Sequence, residues 1–183
     1  MPMKRFRNAT LFLLFIALAP DNTHAQALRQ HSPHVHGTTT VDIALEEDDL
    51  QIAVTAPGAN MIGFEHPPHD ATERHQLATV LSALRSPTAW LRPAEPARCT
   101  LQDTAVLAHG YNEGSGLTGN PEHAHIEARY DYRCAVPGKL DHVDIHLADR
   151  YPATRRVVVD MILPGRQDRR ELGPGEYRVS LAP

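Results

Sequence analysis

Residues 125–136 read His125-Ile126-Glu127-Ala128-Arg129-Tyr130-Asp131-Tyr132-Arg133-Cys134-Ala135-Val136. Ile126, Ala128, Tyr130, Tyr132 and Cys134 alternate with Glu127, Arg129, Asp131 and Arg133. A period of two predicts a strand with one buried and one solvated face. Cys134 falls on the apolar face. His125 falls on the polar face with Glu127, and His123 keeps the same parity. The pair His123-Ala124-His125 therefore offers two imidazoles on one side of the backbone.

The pattern repeats outward from this strand. Residues 99–107 read as a second strand, with Cys99, Leu101, Ala105 and Leu107 on one face. Cys99 and Cys134 would then meet inside the core, and they are the only cysteines in the chain. Residues 38–56 read as a hairpin. Val41, Ile43 and Leu45 alternate before the acidic turn Glu46-Glu47-Asp48-Asp49, and Leu50, Ile52 and Val54 alternate after it. This first run extends back to Val35, which puts His34 and His36 on the polar side with Asp42. Strands are also expected over 140–147, 155–163 and 176–181, with turns at Pro164-Gly165 and Pro174-Gly175. One helix is expected, over residues 70–85. Asp70 and Glu73 have capping-box spacing, Leu77, Val80, Leu81 and Leu84 form an apolar stripe, and Ser86-Pro87 ends it. Trp90 and Leu91 join the core. Residues 109–122, rich in Gly and Asn, read as a flexible loop. The predicted fold is α+β and mainly β: a single antiparallel, sandwich-like domain with one helix and a Cys99–Cys134 disulfide.

The first 25 residues have the plan of a secretory signal peptide. Lys4, Arg5 and Arg7 precede an apolar run, residues 11–19, that is too short to span a bilayer. Thr23-His24-Ala25 suits the cleavage site, with Ala25-Gln26-Ala27 as the alternative. Residues 26–183 then form one exported domain, its first eight residues polar and disordered. An oxidising compartment favours the disulfide. The chain carries a formal charge of −4, and removal of residues 1–25 leaves −6. An acidic exported protein is a poor partner for nucleic acid or an anionic membrane.

Histidine makes up 12 of the 183 residues. The metal-ligating candidates are His34 and His36, His123 and His125, His66 in Gly63-Phe64-Glu65-His66-Pro67, and the carboxylates Glu65 and Glu127. Imidazole and carboxylate together suit a tetrahedral zinc site, and Glu65 could alternatively orient a neighbouring imidazole. His109 is an auxiliary candidate. His31, His69 and His75 read as surface residues, and His142, Asp144 and His146 as a solvated strand face. The chain has no Gly-x-Ser-x-Gly elbow, His-Glu-x-x-His motif or phosphate-binding glycine loop. It reads as a binding protein rather than an enzyme.

These pieces together resemble the ZrgA-type periplasmic zinc-uptake proteins of Gram-negative bacteria. The resemblance is carried by His34-Val35-His36-Gly37 and by Pro57-Gly58-Ala59-Asn60-Met61-Ile62-Gly63-Phe64-Glu65-His66. It continues through residues 93–101, His123-Ala124-His125-Ile126-Glu127-Ala128, Tyr130-Asp131-Tyr132-Arg133-Cys134 and the strands after Tyr151-Pro152. It implies a periplasmic accessory protein that binds Zn²⁺ and assists its import beside an ABC-type zinc transporter, with His34, His36, His66, His123 and His125 as ligands. The chain departs from the family in one respect. Its loop 109–122 carries only His109, Glu113 and Glu122, where such proteins often have many His, Asp and Glu residues. Alternatives from the residues themselves are a copper- or nickel-binding protein, since imidazole sites favour Cu²⁺ over Zn²⁺ in intrinsic affinity; a zinc-dependent hydrolase with Glu65 or Glu127 as base; and an interaction module with exposed histidines.

Overall fold

The computed structural model describes residues 35–111 and 124–182. The signal-peptide reading, the cleavage sites, His31, His34, His123 and most of the 109–122 loop lie outside the described residues.

The chain forms two sheets. The larger has six strands in the order β4-β5-β2-β1-β7-β8, and the smaller has three in the order β3-β6-β9. Strands β1 (Thr38–Glu46) and β2 (Asp49–Pro57) make the predicted hairpin. Its two-residue link places Glu47 at φ 53°. Strands β4 (Cys99–His109) and β5 (His125–Cys134) pair antiparallel, and β5 also pairs antiparallel with β2. β7 (Arg156–Leu163) runs parallel to β1, the one parallel pairing among the described residues, and β8 (Arg166–Leu172) closes that edge. The short strands β3 (Leu91–Pro93), β6 (His142–Ile145) and β9 (Arg178–Ser180) form the second sheet.

The core lies between one face of the large sheet and a layer made by the small sheet and the longest helix. Val41, Ile43, Leu50, Ile52, Ile126, Tyr130, Val159 and Met161 meet Leu84, Trp90, Leu91, Val143, Ile145 and Leu147 there. Trp90 packs edge-on to Tyr130 at 5.6 Å between ring centres, a favoured aromatic geometry. The Tyr130 hydroxyl donates to the Leu84 carbonyl at 2.8 Å and so satisfies a carbonyl at the helix end. Burial is the main cause that raises the Tyr130 hydroxyl pKa far above its ordinary value, and that pushes Tyr132 up to about 12.

Two single-turn helices, α1 (Gly58–Met61) and α3 (Leu147–Arg150), flank the long helix α2 (Ala71–Leu84). Half of the capping box is present: Asp70 Oδ1 accepts from the Glu73 N–H at 2.9 Å, while Glu73 Oε2 reaches past the N-cap to accept from the His69 N–H at 2.7 Å. Leu77, Val80 and Leu81 pack against the core beside buried Leu84, as the stripe predicts. No described helix is long and apolar enough to cross a membrane.

Four sequence expectations need correction. First, a bulge between Leu101 and Asp103 inserts one residue in β4 and reverses its parity. Val106 and Ala108, not Ala105 and Leu107, pack on the core, and Leu107 is 55% exposed. Second, the run into β1 does not start at Val35. Gly37 at φ 83° and a Thr38 N–H to Val35 carbonyl bond make a turn there, so His36 precedes the strand and Val35 is 58% exposed. Third, β8 is an unpredicted strand, because its charged sequence gives no alternation. Fourth, His142, Asp144 and His146 do not share a solvated face. His146 stands at the N-cap position of α3, past the end of β6, while Asp144 is buried and accepts from Arg178 Nε at 2.7 Å and Nη2 at 2.9 Å.

Cys99 and Cys134 are directly opposed in the β4–β5 ladder and bonded. Closing a loop with a sequence separation of 35 removes denatured-state entropy worth about 4 kcal/mol in a chain-entropy account. Replacing both cysteines with alanine is expected to lower unfolding free energy by about 2–4 kcal/mol, read from urea denaturation. A second outcome concerns Asp144, whose carboxyl the Arg178 guanidinium holds below the usual carboxylate range. A depressed folded value gives stability that is present above the unfolded value of about 3.9 and lost as pH falls through the folded one. Asp144→Asn should therefore cost about 1 kcal/mol at neutral pH, discounted for the exposed arginine. The gap from wild type should close in denaturation as pH falls below the ordinary carboxylate range.

Candidate metal centre

The start of β1, the end of β2, the start of β5 and the end of β4 lie at one end of the large sheet, as the pairings Pro57↔His125 and His109↔His125 require. The disulfide closes the opposite end of the β4–β5 ladder.

The bulge matters here. By number alone His109 shares the parity of Cys99 and would point to the core. With the extra residue in β4 it pairs with His125, while Leu107 pairs with Glu127. Side chains of directly paired residues share a face, so His109, His125 and Glu127 come together. Their ligand atoms all lie within 4.8 Å of one another. His125 Nε2 is 3.4 Å from Glu127 Oε1, and His109 Nε2 is 3.5 Å from Glu127 Oε2. The imidazoles stack at 4.5 Å with 14° between planes. Ligands about 2.0–2.1 Å from a tetrahedral zinc are separated by about 3.3 Å. The two nitrogen–oxygen separations are already close to that edge, so the donor set fits the ion. His125 is 7% exposed, whereas His109 and Glu127 face solvent in part. The group therefore has a buried anchor and an open side.

A second constellation lies at the entry to β1, at the same end of the sheet. Asn60 of α1 is buried. Its Oδ1 accepts from the Gly37 N–H at 2.8 Å and its Nδ2 donates to the Thr38 carbonyl at 2.9 Å. These bonds fix the turn that carries His36. His36 Nε2 lies 3.1 Å from Glu65 Oε2, and Glu65 Oε1 accepts a long bond from the Ala59 N–H at 3.4 Å. The loop bearing Glu65 is held by Tyr111, whose hydroxyl donates to the Phe64 carbonyl at 2.8 Å. Burial, then the Glu65 carboxylate, keeps that hydroxyl protonated far above its ordinary range. Gly58 makes the close approach possible. A Cβ there would overlap the Tyr111 hydroxyl and lie 2.6 Å from the Phe64 carbonyl oxygen.

The structure thus distributes the sequence candidates. It joins His125 with Glu127 and pairs His36 with Glu65. It groups His66 not with these but with His69 and Glu73 at the head of α2. His34 and His123 lie outside the described residues. Sequence reasoning gave His109 only an auxiliary place, and read His69 as a surface residue. The spacing held no signal for His69: a capping glutamate at position 73 is expected to return to residue 70, and here it reaches residue 69.

No curated protein matches the chain. Residues 33–181 match the family described as "ZrgA family zinc uptake protein". That span covers every described strand and helix, the disulfide and all the ligand-type side chains considered above. The chain belongs to the ZrgA family of zinc uptake proteins.

Proposed function

We propose that this protein is a periplasmic, non-catalytic zinc carrier. It captures Zn²⁺ at the sheet end and hands it to an ABC-type zinc importer or to that importer's binding protein. Two observations support this reading: membership in a zinc uptake family, and the convergence of His109, His125 and Glu127 on neighbouring strands. The convergence carries it, because two imidazoles and a carboxylate match a borderline divalent cation in donor type and spacing.

The chemistry also suits hand-over. Three protein ligands leave a coordination position through which an acceptor ligand can attack before the donors let go. His125 anchors the group from below, and the partly exposed His109 and Glu127 are placed to release first. His36 and Glu65, with His34 and His123 from the sequence reading, are the further ligands proposed at this end. In this reading Glu65 and Glu127 bind or orient ligands and do not act as catalytic bases. Metal binding requires neutral imidazole, so affinity falls as pH drops through the ordinary imidazole range at about 6.5.

Calorimetric titration tests the reading. The wild-type chain should bind Zn²⁺ at neutral pH, and His125→Ala should abolish binding at the sheet end. Glu127→Gln should weaken it, since it keeps the size of the side chain and removes the charge. Neither variant should change the disulfide, and Glu127→Gln, whose side chain is partly exposed, should keep the melting temperature within a few degrees. Absence of zinc binding by wild type, or titration of both variants as wild type, would overturn the proposal.

A further inference from the structure

We infer that the chain holds a second transition-metal site at the head of α2, built by His66, His69 and Glu73. The ligand atoms of these three residues lie within 4.8 Å of one another. His66 Nδ1 and His69 Nδ1 stand 3.9 Å and 3.8 Å from the same oxygen, Glu73 Oε2. The two imidazoles stack at 4.1 Å with 14° between planes, and His66 also stacks on Phe64 at 4.9 Å.

The local sequence holds this arrangement in place. Pro67 and Pro68 fix φ at two of the three steps from His66 to His69. Glu73 cannot swing freely, because its Oε2 accepts the His69 N–H and its own N–H is bound by Asp70. His66 Nδ1 also lies 3.0 Å from the Pro67 carbonyl, a contact that fixes the ring beside Glu73. A helix N-terminus disfavours a cation. The Glu73 carboxylate lies against that terminus and offsets the penalty.

This site differs from the sheet end in character. It has no fully buried ligand, and His69 is exposed. Its ion would exchange readily with solvent, as a loading site would. The chemistry selects a borderline divalent cation such as Zn²⁺, Cu²⁺ or Ni²⁺. The inference does not depend on which residues bind at the sheet end.

The test uses the full exported chain, equilibrium dialysis against Zn²⁺ with metal analysis, and imidazole nitrogen NMR. His66→Ala/His69→Ala should bind one equivalent fewer than wild type. Glu73→Gln should lose the same equivalent while keeping its melting temperature, because the amide oxygen still accepts the His69 N–H. In His125→Ala, zinc should still shift the His66 and His69 ring nitrogens. Unchanged stoichiometry in His66→Ala/His69→Ala, or unmoved His66 and His69 signals at saturating zinc, would overturn the site. Failure of the sheet-end reading has a different mark: His125→Ala would then lose no equivalent, while the α2 variants still would.

Discussion

The register of β5 against its two neighbours is the constraint on which the rest of the molecule depends. One side of that strand buries Ile126, Ala128, Tyr130 and Tyr132 and so supplies the middle of the core. The other side carries His125 and Glu127. A slip of one residue would exchange the two sets, placing charge in the core and tyrosines in solvent. The apolar face therefore enforces the position of the candidate metal ligands. The disulfide pins the ladder at Cys99 and Cys134, and Pro57 and His109 flank His125 at the other end. Core stability and ligand placement are two consequences of one pairing.

Much of this was legible in the sequence because a half-buried strand has to alternate. The alternation in 125–134 shows both the core face and the ligand face, and with Cys99 it supports the bond across the ladder. The helix was legible for a similar reason: its cap, stripe and stop are local. The illegible features are those where a backbone irregularity resets the count. Nothing at Gln102 marks a bulge, and Leu101, Ala105 and Leu107 imitate a regular apolar face. That one extra residue decides whether His109 faces the core or joins His125 and Glu127. Gly37 breaks the parity from Val35 to Thr39 in the same way, through a left-handed turn that a glycine permits without announcing. β8 was missed because its single partner, β7, demands no apolar face of it.

The ligand-type residues divide by the rigidity of what holds them. His125 stands on a central strand and is almost fully covered. His36 sits on a turn fixed by the amide of buried Asn60. His66 and His69 ride on a proline-stiffened loop anchored by the cap of α2. Affinity is expected to follow this order, since preorganised ligands lose less entropy on binding. In the proposed carrier role, such a gradation would provide both an exposed place to load and a protected place to hold.

The most direct measurement is an anomalous difference map at the zinc absorption edge, from crystals of the zinc-loaded protein. The account predicts a strong peak among His109, His125 and Glu127, at bonding distance from all three. A zinc-loaded structure with no peak at this end of the sheet would contradict it.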